Sequence, residues 1–92
     1  MKRKKLLKKE RTINIYKKTN NKYLGNPLKE INIDHIPFDI LKSIIIPNSD
    51  DPFLYDGYPL NKDELTKLST FLKEKIILDF ELNDYALECY SI

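Results

Sequence analysis

Three prolines within thirteen positions, Pro47, Pro52 and Pro59, constrain this chain more than any other feature. Proline lacks the amide hydrogen that a helix interior needs, and it drives the residue before it out of the helical region. No helix can therefore run through the middle of the chain. Segments with helical periodicity lie on both sides, so the stretch between them is a connection. Residues 50–60 read Asp-Asp-Pro-Phe-Leu-Tyr-Asp-Gly-Tyr-Pro-Leu. A solvated linker has no use for Phe53, Leu54, Tyr55, Tyr58 and Leu60. A loop with its own apolar anchors is expected to pack down, and ordered loops often carry function.

The helices on either side are delimited by local chemistry. Pro37 suits the first helical position, and Phe38, Leu41, Ile44 and Ile45 then draw one apolar stripe, widened by Ile36 and Ile40. Asp39 sits in the first turn, where the helix dipole favours an acid, and Pro47 ends the helix. The second helix, over about residues 61–74, carries the stronger start signal. Asn61 followed by Glu64 is a capping-box pair, and Leu60 with Leu65 suits a hydrophobic staple. Leu65, Leu68, Phe71 and Leu72 mark its inner face, while Lys62, Lys67 and Lys73 stay outside.

Both ends of the chain read as strands. Ile13 and Ile15 alternate with Thr12, Asn14 and Tyr16, which predicts a half-buried strand over 12–18. Alternation resumes over 27–33, with Ile31 and Ile33 on one face and Glu30 and Asn32 on the other. Turn chemistry at 20–22 and 25–27 makes the pair an antiparallel hairpin with a long, irregular loop. Near the C-terminus, Ile77, Leu78, Phe80 and Leu82 alternate in part with Asp79, Glu81 and Asn83. Residues 85–92 form a second strand-like run, with Leu87 and Cys89 inward and Glu88 and Tyr90 on the other face. A strand that closes the chain is expected to be central or well paired, because it would otherwise fray. The order is ββααβ, with room for an extra C-terminal strand. It defines an α+β fold: a small antiparallel sheet with two helices packed on one face.

Ninety-two residues make one domain. A lysine-rich lead at 1–10, kept loose by its own repulsion, would precede a single α+β domain at 11–92. No run of about 18 apolar residues exists, so a membrane partner is not expected. Only Leu6 and Leu7 follow the basic start, where a signal peptide needs a longer apolar run. A lone cysteine, Cys89, fits a reducing compartment, and a cytoplasmic protein is the expectation.

The net charge of +2 conceals an asymmetry. Residues 1–33 hold eleven Lys and Arg against Glu10 and Glu30, a balance of +9. Residues 34–92 hold five Lys against twelve acids, a balance of −7. An acidic half suits a basic partner, and a basic lead suits nucleic acid or an acidic one.

Candidates for chemistry are few. His35 and Cys89 are the one histidine and the one cysteine, and nothing in their spacing orients them as a base and a nucleophile. A lone strand cysteine is more often a small buried hydrophobe. Asp50, Asp51 and Asp56 approach the oxygen count of a calcium site but lack the positional ligand pattern of a calcium loop. Cys-x-x-Cys and His-x-x-x-His spacings are missing, and Gly25 and Gly57 stand alone rather than in a phosphate loop. Neither a metal nor a cofactor is expected, and no enzymatic activity. Lys and Arg within 2–11, with Tyr16 and Tyr23 nearby, could contact phosphates and stack on bases, so a small nucleic-acid-binding module is the alternative function. Tyr55, Tyr58, Tyr85 and Tyr90 stand near Asp56, Asp84 and Glu88, and tyrosines mixed with carboxylates suit a protein interface.

The distal two-thirds of the chain, residues 31–92, also carries a resemblance. Asp50-Asp51-Pro52, Tyr55-Asp56-Gly57-Tyr58-Pro59-Leu60, the helix start from Asn61 to Leu68, and the ending Tyr85-Ala86-Leu87-Glu88-Cys89-Tyr90 resemble a family of small uncharacterised bacterial proteins. That family includes immunity proteins of toxin–immunity pairs, contact-dependent growth inhibition systems among them. The resemblance implies a non-catalytic protein that binds a cognate bacterial toxin domain and occludes its active site. Many such toxins are nucleases with basic clefts, which an acidic inhibitor surface would match. The basic lead falls outside the resemblance and departs from simple charge mimicry. The expected contact residues are Asp50, Asp51, Tyr55, Asp56 and Tyr58, joined by Asp79, Glu81 and Glu88.

Overall fold

The computed structural model describes residues 9–18 and 26–91. The turn chemistry at 20–22 and most of the basic lead lie outside the described residues. Six elements follow in order: β1 (Lys9–Lys17), β2 (Lys29–Asn32), α1 (Phe38–Ile44), β3 (Tyr58–Pro59), α2 (Lys62–Ser69) and β4 (Asn83–Ser91). The strands form one antiparallel sheet in the order β2-β1-β4-β3, so the expected α+β class and the antiparallel β1–β2 pair are found. β4 lies inside the sheet, paired along its whole length with β1, from Lys9 opposite Ser91 to Lys17 opposite Asn83.

The register places one apolar row across the sheet. Ile31 faces Ile13, Ile13 faces Leu87, and Leu87 faces Tyr58. These four join Leu41 and Ile45 from the α1 region, Leu65 and Leu68 from α2, and Ile33, Ile36, Leu54 and Leu60 from the connections in one buried core. Both helices thus cover the same face of the sheet.

α2 starts where Asn61 and Glu64 dictate. The Glu64 N–H donates to Asn61 Oδ1 at 2.8 Å, and the Asn61 N–H donates to Glu64 Oε1 at 2.9 Å, a closed capping box. An i,i+4 ion pair, Asp63 with Lys67 at 3.2 Å, lies on the outer face. The helix ends at Ser69 rather than near residue 74. Ser69 and Thr70 turn their hydroxyls back onto the carbonyls of Thr66 and Lys67, and the Phe71 N–H donates to the Leu68 carbonyl in a tighter turn. α1 begins one residue later than expected, with Pro37 as its cap at an extended ψ of 143° and no side-chain cap bond.

Two further sequence expectations are corrected. The first concerns residues 77–82, which form no strand; the chain there runs without a ladder into a turn at 80–82. Its alternation is real, because Ile76, Leu78 and Phe80 pack against the core while Ile77 and Leu82 are exposed. Period-two burial needs only one apolar surface to lie on, and a strand also needs a neighbour to bond. The second concerns the extra strand, which comes from the loop, not from the C-terminus. Tyr58 and Pro59 pair with Leu87 and Ala86. Pro59 suits an edge position, where its missing N–H costs no ladder bond.

Candidate functional site

The loop before β3 is built on one buried carboxylate. Asp51 is 6% exposed, and its oxygens accept from the backbone N–H groups of Tyr55 and Asp56, each at 2.9 Å, and from the Tyr58 hydroxyl at 2.7 Å. Burial pushes its carboxyl up, but those three donors and the Arg11 charge outweigh burial and hold the group below the ordinary carboxylate range. Burial and the neighbouring Asp51 carboxylate raise the Tyr58 hydroxyl in turn, against the pull of the Asn48 N–H. Around this centre the chain closes two turns, Asp51 N–H to the Asn48 carbonyl and Leu54 N–H to the Asp51 carbonyl.

Leu54 sits in the left-handed region at φ 57° and is fully buried. A left-handed leucine costs about 1–2 kcal/mol, and burying its side chain contributes about 1.5–3 kcal/mol. Burial and the Asp51 bonds together exceed the strain, so the loop is a packed mount rather than a solvated linker.

The mount displays an aromatic pair. Phe53 is 56% exposed and Tyr55 46% exposed, their rings stacked at 5.8 Å, with Phe38 of α1 at 6.1 Å from Phe53. Arg11 of β1 pins the pair: its Nη2 donates to the Phe53 carbonyl at 2.5 Å, and its guanidinium lies over the rings of Phe38 and Tyr55. Lys9 Nζ lies 4.9 Å from the Tyr55 ring centre. Asp50 and Asp56 flank the pair and are exposed.

The other face of the sheet, free of helices among the described residues and called the helix-free face below, is organised differently. Alternation sets Thr12, Asn14 and Tyr16 away from the core, yet all three are buried, Asn14 completely. β1 is an interior strand, and Glu88 and Tyr90 of β4 stand beside it. Asn14 is the hub. Its Oδ1 accepts from the Thr12 hydroxyl at 2.6 Å, and its Nδ2 donates to the hydroxyls of Tyr90 at 2.8 Å and Tyr16 at 3.2 Å. The Tyr16 hydroxyl donates to Glu88 Oε2 at 3.5 Å. Burial, more than the Glu88 and Tyr90 charges, raises the Tyr16 hydroxyl against the pull of Asn14. Burial also pushes the Glu88 carboxyl up, with Tyr16 opposing.

The eight expected contact residues therefore separate into groups. Asp50, Tyr55 and Asp56 lie together on the exposed loop. Asp51 and Tyr58 are turned inward and hold that loop, so their role is to position it. Glu88 lies on the helix-free face. Asp79 is half-buried and accepts from the N–H groups of Glu81 and Leu82, each at 3.1 Å, making the turn that leads into β4. Glu81 is exposed on that same turn. Arg11, Phe53 and Asn14 are the residues the sequence reading missed. Phe53 was visible within the loop motif, but Arg11 and Asn14 gain their roles only through cross-strand and loop contacts.

His35 and Cys89 do other things. The His35 Nε2 meets the Phe71 carbonyl at 2.7 Å. Cys89 faces Arg11 across the ladder, and burial pushes its thiol up, which favours the unreactive protonated form. Among the described residues no three His, Cys, Asp or Glu side chains converge as metal ligands would. No described helix is long and apolar enough to cross a membrane.

Fold and surface together define a small α+β domain with a four-stranded antiparallel sheet and an ordered, aromatic-bearing loop at its β3 edge. The chain belongs to a family described as a domain of unknown function, DUF7683, whose model matches residues 10–88. Comparisons with curated proteins and with solved structures found no match.

Proposed function

We propose that this domain is a protein-binding module, and that its partner is a cognate bacterial toxin domain, a nuclease in the simplest form of the reading, whose active site it occludes. The observation that carries the binding reading is the Phe53–Tyr55 pair, half-exposed on a loop fixed by Asp51, Leu54 and Arg11. Exposed aromatics held rigid before contact lose little entropy on binding, and aromatic anchors dominate binding energy at protein interfaces. Asp50 and Asp56 beside them favour a partner with basic groups and give charge-steered association. The toxin and the occlusion mechanism rest on the resemblance carried by residues 50–52, 55–68 and 85–90.

The test begins by purifying the protein that co-purifies stoichiometrically with the domain and measuring that protein's own activity. Titrating the domain into it should abolish activity at a 1:1 ratio. Retained activity in the saturated complex would overturn the occlusion reading.

The alternative, a nucleic-acid-binding module, draws on Lys9 and Arg11, which place two cations beside the Tyr55 ring at the end of the basic lead. It requires binding to RNA or DNA whose affinity falls steeply with salt. In the folded domain Arg11 is already engaged by Phe53, Phe38 and Tyr55. That engagement favours the protein-binding reading.

A further inference from the structure

On the helix-free face a small cleft of about 170 Å³ opens beside the β3–β4 edge, lined by Gly57, Tyr58, Pro59, Ala86 and Glu88. That space is enough for the end of one long side chain. Apart from Tyr58 its walls are small or apolar, and its one carboxyl is that of Glu88. Among the described residues no Lys or Arg pairs with Glu88; the four ion pairs all lie elsewhere. Its hydrogen bond to Tyr16, at 3.5 Å, is long. A carboxyl this poorly matched is held at a cost, which burial makes visible by pushing its proton affinity up.

Gly57 keeps the cleft open. A Cβ at this position would stand 2.9 Å from Glu88 Oε1 and 3.4 Å from Cδ and Oε2. An alanine here would push the carboxylate aside, and because the obstacle is the end of a flexible side chain, the backbone need not move. Gly57 lies two residues beyond Tyr55, so the displayed aromatic pair and the cleft belong to one loop.

We propose that this cleft receives a basic side chain of the protein partner, a Lys ammonium or an Arg guanidinium, with Glu88 as its counter-ion and Gly57, Pro59 and Ala86 against its alkyl stem. The occupant follows from charge complementarity. A half-buried carboxyl with no cation beside it among the described residues, in a largely apolar-walled cleft, is the complement of an amphipathic cation with an apolar stem and a charged tip. The inference rests on the protein-binding reading and adds to it the chemistry of one contact.

The experiment needs no partner. Methylguanidinium is titrated into the full chain at low salt while backbone amide shifts are followed by NMR, for wild type, Glu88→Gln and Gly57→Ala. The expected result is a saturable shift centred on Gly57, Ala86 and Glu88 in the wild type, with apparent affinity at least tenfold weaker in both variants. Glu88→Gln removes the charge without removing volume, so its loss of binding cannot be ascribed to a collapsed cleft; circular dichroism of both variants confirms that they fold. Shifts that never saturate, or that persist unchanged in Glu88→Gln, would overturn the proposal. The two readings fail separately. A silent titration beside a stoichiometric protein partner removes the cleft and leaves the aromatic loop, and a saturable titration without such a partner does the reverse.

Discussion

Asp51 and Glu88 show how two carboxyls of one chain can be shifted in opposite directions. Asp51 is satisfied by three donors and lies below the ordinary range, so the folded state binds its proton less tightly than the unfolded state. Its contribution is present at neutral pH and is lost as pH falls through the carboxylate range. Thermal unfolding of wild type should therefore weaken from pH 7 towards pH 3 more steeply than that of Asp51→Asn, and Asp51→Asn should melt lower at pH 7. Glu88 has the reverse sign. Its folded pKa is raised, so the folded state loses stability as pH rises from the unfolded value through the folded one. Glu88→Gln should melt higher than wild type at pH 7, and the gain should shrink as pH falls below the carboxylate range. Leu54 offers a third test. Leu54→Ala should cost about 2–5 kcal/mol, as other buried leucines do. Glycine relieves the positive φ, so Leu54→Gly should be no less stable than Leu54→Ala, where an ordinary site would lose a further ~0.5–1 kcal/mol. Chemical denaturation of the pair measures it.

At the scale of elements, what was legible in the chain was what is decided locally. The α2 start needs only Asn61, Glu64 and their own backbone, and it forms as written. Asn61→Ala should cost about 1 kcal/mol, read as a lowered midpoint in urea without a change of slope. The stop before Pro47 follows from an equally short-range signal, and each strand of the β1–β2 pair from its own alternation. What was hidden depends on partners far away in sequence. Three aspartates in residues 50–56 look alike on paper, and Asp51 alone turns inward because Tyr58 and two loop amides reach it there. Asn14 sits where alternation predicts an outward polar residue, and the hydroxyl of Tyr90, 76 residues away, helps to close over it. Residues 77–82 kept their periodicity and lacked a neighbouring strand, which no pattern within the segment can reveal. Amides of residues 75–78, without ladder bonds, should exchange with solvent faster than those of 85–89 in β4.

For the whole molecule, the sheet separates two tasks. One face carries the apolar core under both helices. The other carries a hydrogen-bonded polar network that ends at Glu88. The loop at the β3 edge joins them, with Phe53 and Tyr55 displayed beside exposed Asp50 and Asp56. A molecule arranged in this way can lose its displayed aromatics without losing its fold, since neither ring belongs to the buried core. That separation is the central claim, and one measurement addresses it directly. Wild type and a Phe53→Ala/Tyr55→Ala double variant, each tagged, are used for nuclease-treated affinity capture from the organism of origin, with thermal unfolding measured on the same preparations. The account predicts one stoichiometric protein partner on the wild type, its loss from the double variant, and melting temperatures that stay close. Equal recovery of that partner by both proteins would contradict it.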